Sequence, residues 1–322
     1  MRIHASKFLA GAALALVTAT AAQAQGDAIH LVVPFAPGGA QDVIGRYLGE
    51  RLGTRMNTPV VIDNKAGAGG VIAADAVAKA KPDGRTLLLA TGGAITIAPH
   101  LNAKLSYDPR KAFVPVALVA DTPMTLAVRA QSPYTSVADL LKDAKANPGK
   151  VSYASTGNGT VSHLTGELLA QSAGVQLLHV PYRGAGPAIT DLLGGQVAAM
   201  VTSSASIEPM VLDKKARVLA SFTRERIGAL QGAPTMTEGA GIKGLEVPVW
   251  VGLLAPAGTP KAVIDKLATE LQAVCALPET RERFTALGAA ATCGGPAELG
   301  KVIADDDKRW ETVIRQGKIQ GN

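Results

Sequence analysis

From Ile29 onward the chain repeats one pattern: a short apolar run, a glycine-rich turn, then a segment whose apolar residues recur every three or four positions. Ile29 to Pro34 predicts a buried strand, and Gln41 to Leu52 a helix that gathers Val43, Ile44, Tyr47, Leu48 and Leu52 on one face. Pro59 to Ile62 predicts the next strand, followed by the loop NKAGAGG over Asn64 to Gly70 and a second helix over Val71 to Ala80. The turn Pro82-Asp83-Gly84 leads into a strand over Thr86 to Ala90, after which Thr91-Gly92-Gly93 opens a third, short helix. Strands alternating with helices predict an α/β protein with parallel strands, whose ligand site lies off the carboxyl ends of the strands.

Two strand-like runs, Phe113 to Val119 and Met124 to Arg129, are divided by Asp121-Thr122-Pro123, and the pattern then restarts. A helix begins at TSVAD, Thr135 to Asp139, and runs through Lys145; a strand covers Val151 to Ala154 and runs into STGNGT, Ser155 to Thr160. The helix Ser162 to Ala173, the strand Val175 to Val180, the turn PYRG, the helix Pro187 to Leu193 and the strand Gln196 to Thr202 follow. Val218 to Phe222 and Val249 to Leu254 read as further strands, and Pro260 to Ala276 and Pro296 to Gln316 as long helices. The restart marks a crossing into a second lobe near residue 121, and the return is expected between Ser221 and Thr237. This gives one lobe from residues 25–120 and 237–322 and another from 121–236, with the ligand cleft between them.

The first two dozen residues do not join this pattern. Arg2 and Lys7 precede the apolar stretch Phe8 to Val17, and Ala22-Gln23-Ala24 supplies a small-x-small cleavage site, so export to the periplasm with cleavage after Ala24 is expected. The apolar stretch is too short to cross ~30 Å of hydrocarbon, which needs about 20 apolar residues.

Composition agrees with one large or two medium globular domains: 322 residues, 47% hydrophobic, with 35 Gly and 19 Pro and few aromatics. Without Arg2 and Lys7 the 32 basic residues become 30 against 26 acidic, a net charge of +4. No Lys/Arg run of nucleic-acid-binding length is present, so the mild excess favours small anions. The two cysteines, Cys275 and Cys293, cannot make a four-ligand zinc site. In an exported chain a disulfide is the better reading, contributing about 3 kcal/mol if unstrained; two free, buried thiols are the alternative.

The glycine-rich turns carry the candidate chemistry. Pro37-Gly38-Gly39, with Asp42 at the start of a helix, exposes backbone N–H groups where the helix dipole favours an anion. The plain alternative is a tight turn capped by Asp42. GAGG from Gly67, TGG from Thr91 (with Gly92) and STGNGT repeat the arrangement, the last in the other lobe. Facing loops of this kind could grip the two ends of a dicarboxylate, with Ser155, Thr156, Gly157, Asn158, Gly159 and Thr160 on one side and Ser162 adding a hydroxyl. His163 can join them or simply pack. In PYRG, Arg183 could clamp a carboxylate or be a surface charge, and Tyr182 could wall the cleft or pack.

Catalytic motifs are missing: there is no G-x-S-x-G, H-E-x-x-H or Walker loop, and the five histidines are scattered. GAGG from Gly67 fails as a dinucleotide fingerprint because Ile72 stands where its third glycine belongs. An exported α/β enzyme acting on a small anionic substrate is the runner-up, and no cofactor is expected.

VPFAPGG with Asp42, VIDNKAGAGG, PDG with TLLL, YDP, NPGK with YASTGNGT, HVPYRG, DLLGGQV and GLLAPAGTP together resemble the Bug-type solute receptors of tripartite tricarboxylate transporters over the whole mature chain. The resemblance implies a two-lobed type II periplasmic binding fold, no catalysis, and delivery of a small carboxylate to a membrane permease; a monomer is expected. It also implies contacts from the loops Pro37 to Asp42 and Ser155 to Thr160. The chain departs from the family in two places. Thr202, Ser203 and the rest of TSSAS offer only hydroxyls where members often carry an acid suited to an amine, which favours plain carboxylates, di- or aromatic. Lys65-Ala66 replaces a common Arg-Pro, which keeps the charge and loses the fork.

Overall fold

The computed structural model describes residues 28–101, 104–226, 230, 232–317 and 319; the expected leader and its cleavage point lie outside them. In chain order the elements are β1 (Ile29–Val33), α1 (Ala40–Met56), β2 (Val60–Asn64), α2 (Val71–Ala78), β3 (Thr86–Ala90), β4 (Phe113–Asp121), β5 (Met124–Arg129) and α3 (Val137–Ala146). Next come β6 (Ser152–Ser155), α4 (Val161–Ala173), β7 (Leu178–Pro181), α5 (Ala185–Leu193), β8 (Ala199–Ser203), α6 (Ser204–Leu212) and β9 (Ala216–Ser221). The chain ends with α7 (Met236–Ala240), β10 (Trp250–Pro256), α8 (Lys261–Ala276), α9 (Pro278–Thr285), β11 (Ala290–Gly294) and α10 (Pro296–Gly317).

Two sheets form, ordered β2-β1-β3-β10-β4-β11 and β7-β6-β8-β5-β9. They share one plan. In each, three parallel strands are followed by an antiparallel strand delivered by a crossing between lobes: β10 pairs antiparallel with β3 and β4, and β5 with β8 and β9. This is the expected two-lobed type II arrangement of α/β lobes.

Strand alternation splits each lobe into two packed layers. Leu31, Val33, Leu87 and Leu89 pack with Ile44, Leu48 and Leu52 of α1 and Leu271 of α8, while Val32, Leu88 and Ala90 face Val77 of α2 and Leu299 of α10. In the second lobe Leu126, Val128, Tyr153 and Val201 pack with Leu140 of α3 and Leu164 of α4; Ala127, Ala154 and Met200 face Ala188 of α5 and Ile207 of α6.

The first crossing falls between β4 and β5, but the return lies later than the expected 221–237. Met236, Leu245, Val247 and Val249 all pack in the second lobe's core, and the chain rejoins the first sheet only at Trp250. Helix α10 belongs to neither lobe alone, because Leu299 packs in the first while Trp310 and Ile314 pack in the second. The helix expected after Thr91-Gly92-Gly93 begins as a π-type turn over Gly93–Ile97 and continues over Ala98–Leu101. β7 starts at Leu178 rather than Val175, and α6 occupies a stretch that reads as loop because of its serines and the internal Pro209.

Candidate functional site

The lobes meet through glycines. A Cβ on Gly69 would lie 2.7 Å from the carbonyl oxygen of Asn158, and one on Gly93 would lie 2.5 Å from that of Gly69 and 3.4 Å from that of Gly159. A Cβ on Gly184 would lie 3.7 Å from Ala36. The first lobe's loops therefore touch the second lobe's loop backbone to backbone, and the cleft is closed.

Two cavities remain in it, sharing Phe35 and Thr156. The outer one, about 210 Å³, is lined by Pro34, residues 66–70, Gly157, Asn158, Tyr182, Arg183 and Gly184 among others. The inner one has only about 20 Å³ free, room for little more than a water, and is lined by Gln41, Thr91, Met124, Thr160, Val161, Ser162, Ser203, Ser206 and Val249. No acidic side chain lines either cavity, and Arg183, which is exposed, is the one charged residue among the described lining residues.

Three helices of eight residues or more begin at the inner cavity. Gln41 is the second residue of α1, Val161 and Ser162 are the first two of α4, and Ser203 is the N-cap of α6 with Ser206 one turn on. First-turn amides have no intrahelical acceptor, so the three positive helix ends are directed at one small polar space.

The opening motif works differently from the simple expectation. Pro37 and Gly38 are exposed and line neither cavity, and the carboxylate accepted by the turn is the protein's own. Asp42, 3% exposed, accepts from the Gly38 amide at 3.0 Å, Arg46 Nε at 2.9 Å and Asn64 Nδ2 at 2.9 Å. Burial alone would raise its pKa, but the bonds from Arg46, Gly38 and Asn64 outweigh it and hold the carboxyl below its ordinary value. Asp42 thus fixes the loop that presents Phe35, and Gly39 serves as the N-cap of α1.

Several hydroxyls of STGNGT are likewise used inside the loop. Thr160 Oγ1 donates to the Gly157 carbonyl at 2.7 Å and accepts the His163 amide at 3.3 Å, capping α4. Ser162 Oγ donates to the Val201 carbonyl at 2.6 Å and accepts the Thr156 amide at 3.1 Å. Ser155 is fully buried against His179. Thr156 Oγ1 donates to Thr160 Oγ1 at 3.3 Å, so the groups of the inner lining left over are Thr91, Gln41 and the Ser203–Ser206 hydroxyl pair, 3.0 Å apart.

Of the residues expected at the site, Thr91, Thr156, Gly157, Asn158, Thr160, Tyr182, Arg183 and Ser203 line the cavities. Pro37, Gly38, Gly39, Asp42, Gly92, Ser155, Gly159, His163 and Thr202 do not. Gly92 packs behind, where a Cβ would meet Asp306 Oδ2 at 3.0 Å, and Thr202 is buried within β8 with its hydroxyl unpartnered. Phe35, Gln41, residues 66–70, Met124, Ser206 and Val249 are among the lining residues not expected at the site from the sequence. Phe35 and Gln41 flank the Pro-Gly-Gly turn and could have been found from it, whereas Met124 and Val249 reach the site only because the two crossings meet there.

Away from the cleft, Cys275 and Cys293 are both free thiols, contrary to the expected disulfide. Burial, then the adjacent Cys293 thiol, pushes the Cys275 thiol up, and Cys275 Sγ also lies 3.9 Å from the Val119 carbonyl oxygen. Among the described residues no cluster of three metal-ligating side chains occurs, and no helix is long and apolar enough to cross a membrane.

Two α/β lobes of one strand order, closed on a cleft lined by glycine loops, hydroxyls and helix starts, define a solute receptor of the periplasmic binding class. Residues 44–319 match the tripartite tricarboxylate transporter family receptors, and the chain belongs to that family. It is 39% identical over 321 residues to the UPF0065 protein in the tcbD-tcbE intergenic region of Pseudomonas sp. strain P51, covering 98% of this chain and 95% of that one. The periplasmic binding protein BugD superposes with a TM-score of 0.87 at 37% identity, covering 92% of this chain and 99% of BugD. R. palustris Rpa4515 with adipate gives 0.87 at 33% identity over 91% of this chain and 98% of that one. MatC (Rpa3494) from Rhodopseudomonas palustris with bound malate gives 0.85 at 33% over 89% and 98%. The protein is thus a periplasmic solute-binding receptor and not an enzyme, which sets aside the exported-enzyme reading.

Proposed function

We propose that the protein captures a small dicarboxylate between its lobes and delivers it to the permease subunits of a tripartite tricarboxylate-type transporter. The observation that carries this reading is the convergence of three helix N-termini on an inner cavity free of acidic side chains. One carboxylate belongs at that inner end, which has to widen to admit it, on first-turn amides with Thr91, Gln41 and the Ser203–Ser206 pair. The second extends into the outer cavity toward Arg183. The adipate and malate of the structural neighbours support a ligand of this class. The absence of an acid in TSSAS supports a plain carboxylate over an amino acid. The working form is a monomer, freed by cleavage after Ala24.

The test is a thermal-shift screen over mono-, di- and tricarboxylates, aromatic ones included, with amino acids and sugars as the opposing set. A ligand at 100 times its Kd stabilises the folded state by about 2.7 kcal/mol. Dicarboxylates are expected to shift Tm and to be recovered unchanged after long incubation. Stabilisation by amino acids or sugars alone would refute the reading.

A further inference from the structure

Behind the Ser155–Thr160 loop, on the side away from the cavities, three rings are stacked. His179 of β7 lies flat on His163 from the first turn of α4, with centroids 4.0 Å apart and planes at 9°. The other face of His179 is covered by Tyr153 of β6, at 5.0 Å and 26°. Tyr153 is 1% exposed and His163 9%. Neither histidine lines a cavity, so neither is explained by contact with a ligand.

Their nitrogens face the loop. His163 Nδ1 accepts the Gly159 amide at 3.2 Å, which requires that nitrogen to be unprotonated and puts the ring proton on Nε2. That Nε2 lies 4.0 Å from Glu167 Oε1, the same oxygen that accepts from the Tyr153 hydroxyl at 2.7 Å. His179 Nε2 lies 2.6 Å from Ser155 Oγ, and Ser155 Oγ in turn accepts the Gly157 amide at 3.2 Å. With the hydroxyl proton on the shorter contact, Ser155 donates to a bare Nε2 and offers its lone pair to Gly157. The two imidazoles thereby fix the amides of Gly157 and Gly159, on either side of Asn158. Asn158 and Gly159 meet Gly69 across the cleft, and Gly157 and Asn158 line the outer cavity.

We propose that His163 and His179 are positioning residues: as a neutral stacked pair they supply two acceptors that hold the Ser155–Thr160 loop in the register that forms the ligand cleft. Affinity for a ligand bound in that cleft then depends on both rings staying neutral, a consequence that rests on the proposed function.

Protonation would undo the arrangement in two ways. A proton on His163 Nδ1 makes it a second donor facing the Gly159 amide. A proton on His179 removes the acceptor of Ser155, and with both rings charged two cations would lie 4.0 Å apart. The groups facing the pair are Glu167 of α4 and Tyr153 of β6, while α10, also packed on α4, presents the apolar Trp310 and Ile314. Burial brings His163 down to about 4. Burial, then the charge His163 would carry, brings His179 down to about 3.

The test begins with imidazole nitrogen-15 spectra of the ligand-free wild-type protein, which need neither a variant nor an identified ligand. His163 is expected as the Nε2–H tautomer with Nδ1 bare from pH 7.5 down to about 5. Amide hydrogen exchange then compares wild type with His163→Leu, which removes the acceptor, and His163→Asn, which keeps a non-titrating acceptor in its place. Gly159 is expected to exchange at least tenfold faster in the leucine variant and near the wild-type rate in the asparagine variant, with the amides of β5 and β8 unchanged in both. A protonated Nδ1 in the wild-type spectra, or equal Gly159 exchange in all three proteins, would overturn the proposal. Calorimetric titration with adipate and malate forms the second arm. Weakened binding in the leucine variant with recovery in the asparagine variant supports the consequence for affinity, and loosened exchange with unchanged affinity overturns it. Failure of both ligands to bind wild type counts against the dicarboxylate reading and leaves the exchange result to decide the loop.

Discussion

Replacing Gly69 with alanine separates closure from folding. Gly69 sits at φ +64, and a Cβ there would lie 2.7 Å from the Asn158 carbonyl oxygen and 3.3 Å from the carbonyl carbon and oxygen of Gly159. An ordinary non-bonded contact is ~3.5 Å, so the facing loops have to part by about 0.8 Å. Both contacting residues are backbone of the other lobe and cannot rotate away as a side chain could. Overpacking of this kind costs about 1–3 kcal/mol. Because it acts only in the closed form, it enters the binding constant and weakens affinity about 5- to 150-fold at ~1.4 kcal/mol per decade. The left-handed backbone adds about 1–2 kcal/mol of local strain for any L-residue, but open and closed forms carry it alike, so it enters the ligand-free Tm. Gly149→Ala is the control: it has φ +71 with nothing within 4 Å of the added Cβ, so it lowers Tm and leaves affinity alone. The assay is calorimetric titration with the best dicarboxylate of the thermal-shift screen, beside thermal unfolding without ligand. If Gly69→Ala lowers Tm no more than the control and binds with wild-type affinity, the lobes do not need this approach to hold ligand, and the closed-cleft site is wrong.

Three further outcomes follow from the same geometry. Asp42→Asn replaces a buried carboxylate that three donors converge on, and should destabilise the fold by about 2 kcal/mol in thermal unfolding at pH 7. Because the folded carboxyl lies below its ordinary 3.8, its contribution is present above that value and lost as pH falls through the folded one, so the wild-type advantage over the variant should shrink below pH 4; an advantage that does not change with pH refutes the charge as its source. Arg183→Ala, at an exposed position on the outer cavity, should weaken a dicarboxylate by up to about fivefold in a salt-sensitive way and a monocarboxylate less; equal loss for both would show no contact with the second carboxylate. A soluble alkylating reagent should modify Cys293 in the folded protein and Cys275, 1% exposed, only after denaturation, as followed by mass spectrometry; failure to label either thiol in denatured, unreduced protein would restore the disulfide.

The parallel strands and the glycine loops after them were legible because each is local: an apolar run of five residues, a turn rich in glycine, and an amphipathic helix lie within thirty residues of one another. Antiparallel β10 and β5 could be read as strands but not placed, since the partners of β10 lie on the far side of both crossings and β5 pairs with strands far along its own lobe, Met124 with Ser203 and Thr125 with Ser221. The direction of the hydroxyls was hidden for a related reason. Thr160 and Ser162 look alike in STGNGTVS, but one caps α4 and the other reaches the Val201 carbonyl of β8, a partner 39 positions away. Asp42 shows the limit most clearly. The sequence identifies an anion-accepting turn at Pro37-Gly38-Gly39 and an acid nearby, and only the fold, by adding Asn64 from β2, shows that the acid is what the turn accepts.

The crossings also explain how a ligand could govern closure. Thr122 donates its amide to the Val249 carbonyl at 2.8 Å, and Val249 donates its own to Asp121 Oδ1 at 3.0 Å, so the two connecting segments are bonded to each other. Val249 and Met124, one residue beyond Pro123, both line the inner cavity. A carboxylate seated there touches both lobes' helix starts and both connecting segments at once. Rotation of one lobe about the Thr122–Val249 pair would therefore withdraw some helix N-termini from the carboxylate while others stayed in place. The open form would lose part of the anion's electrostatic stabilisation without losing any contact between the segments themselves. Binding energy at the inner cavity is in this way coupled to lobe closure by the position of the hinge, with no separate relay of side chains required.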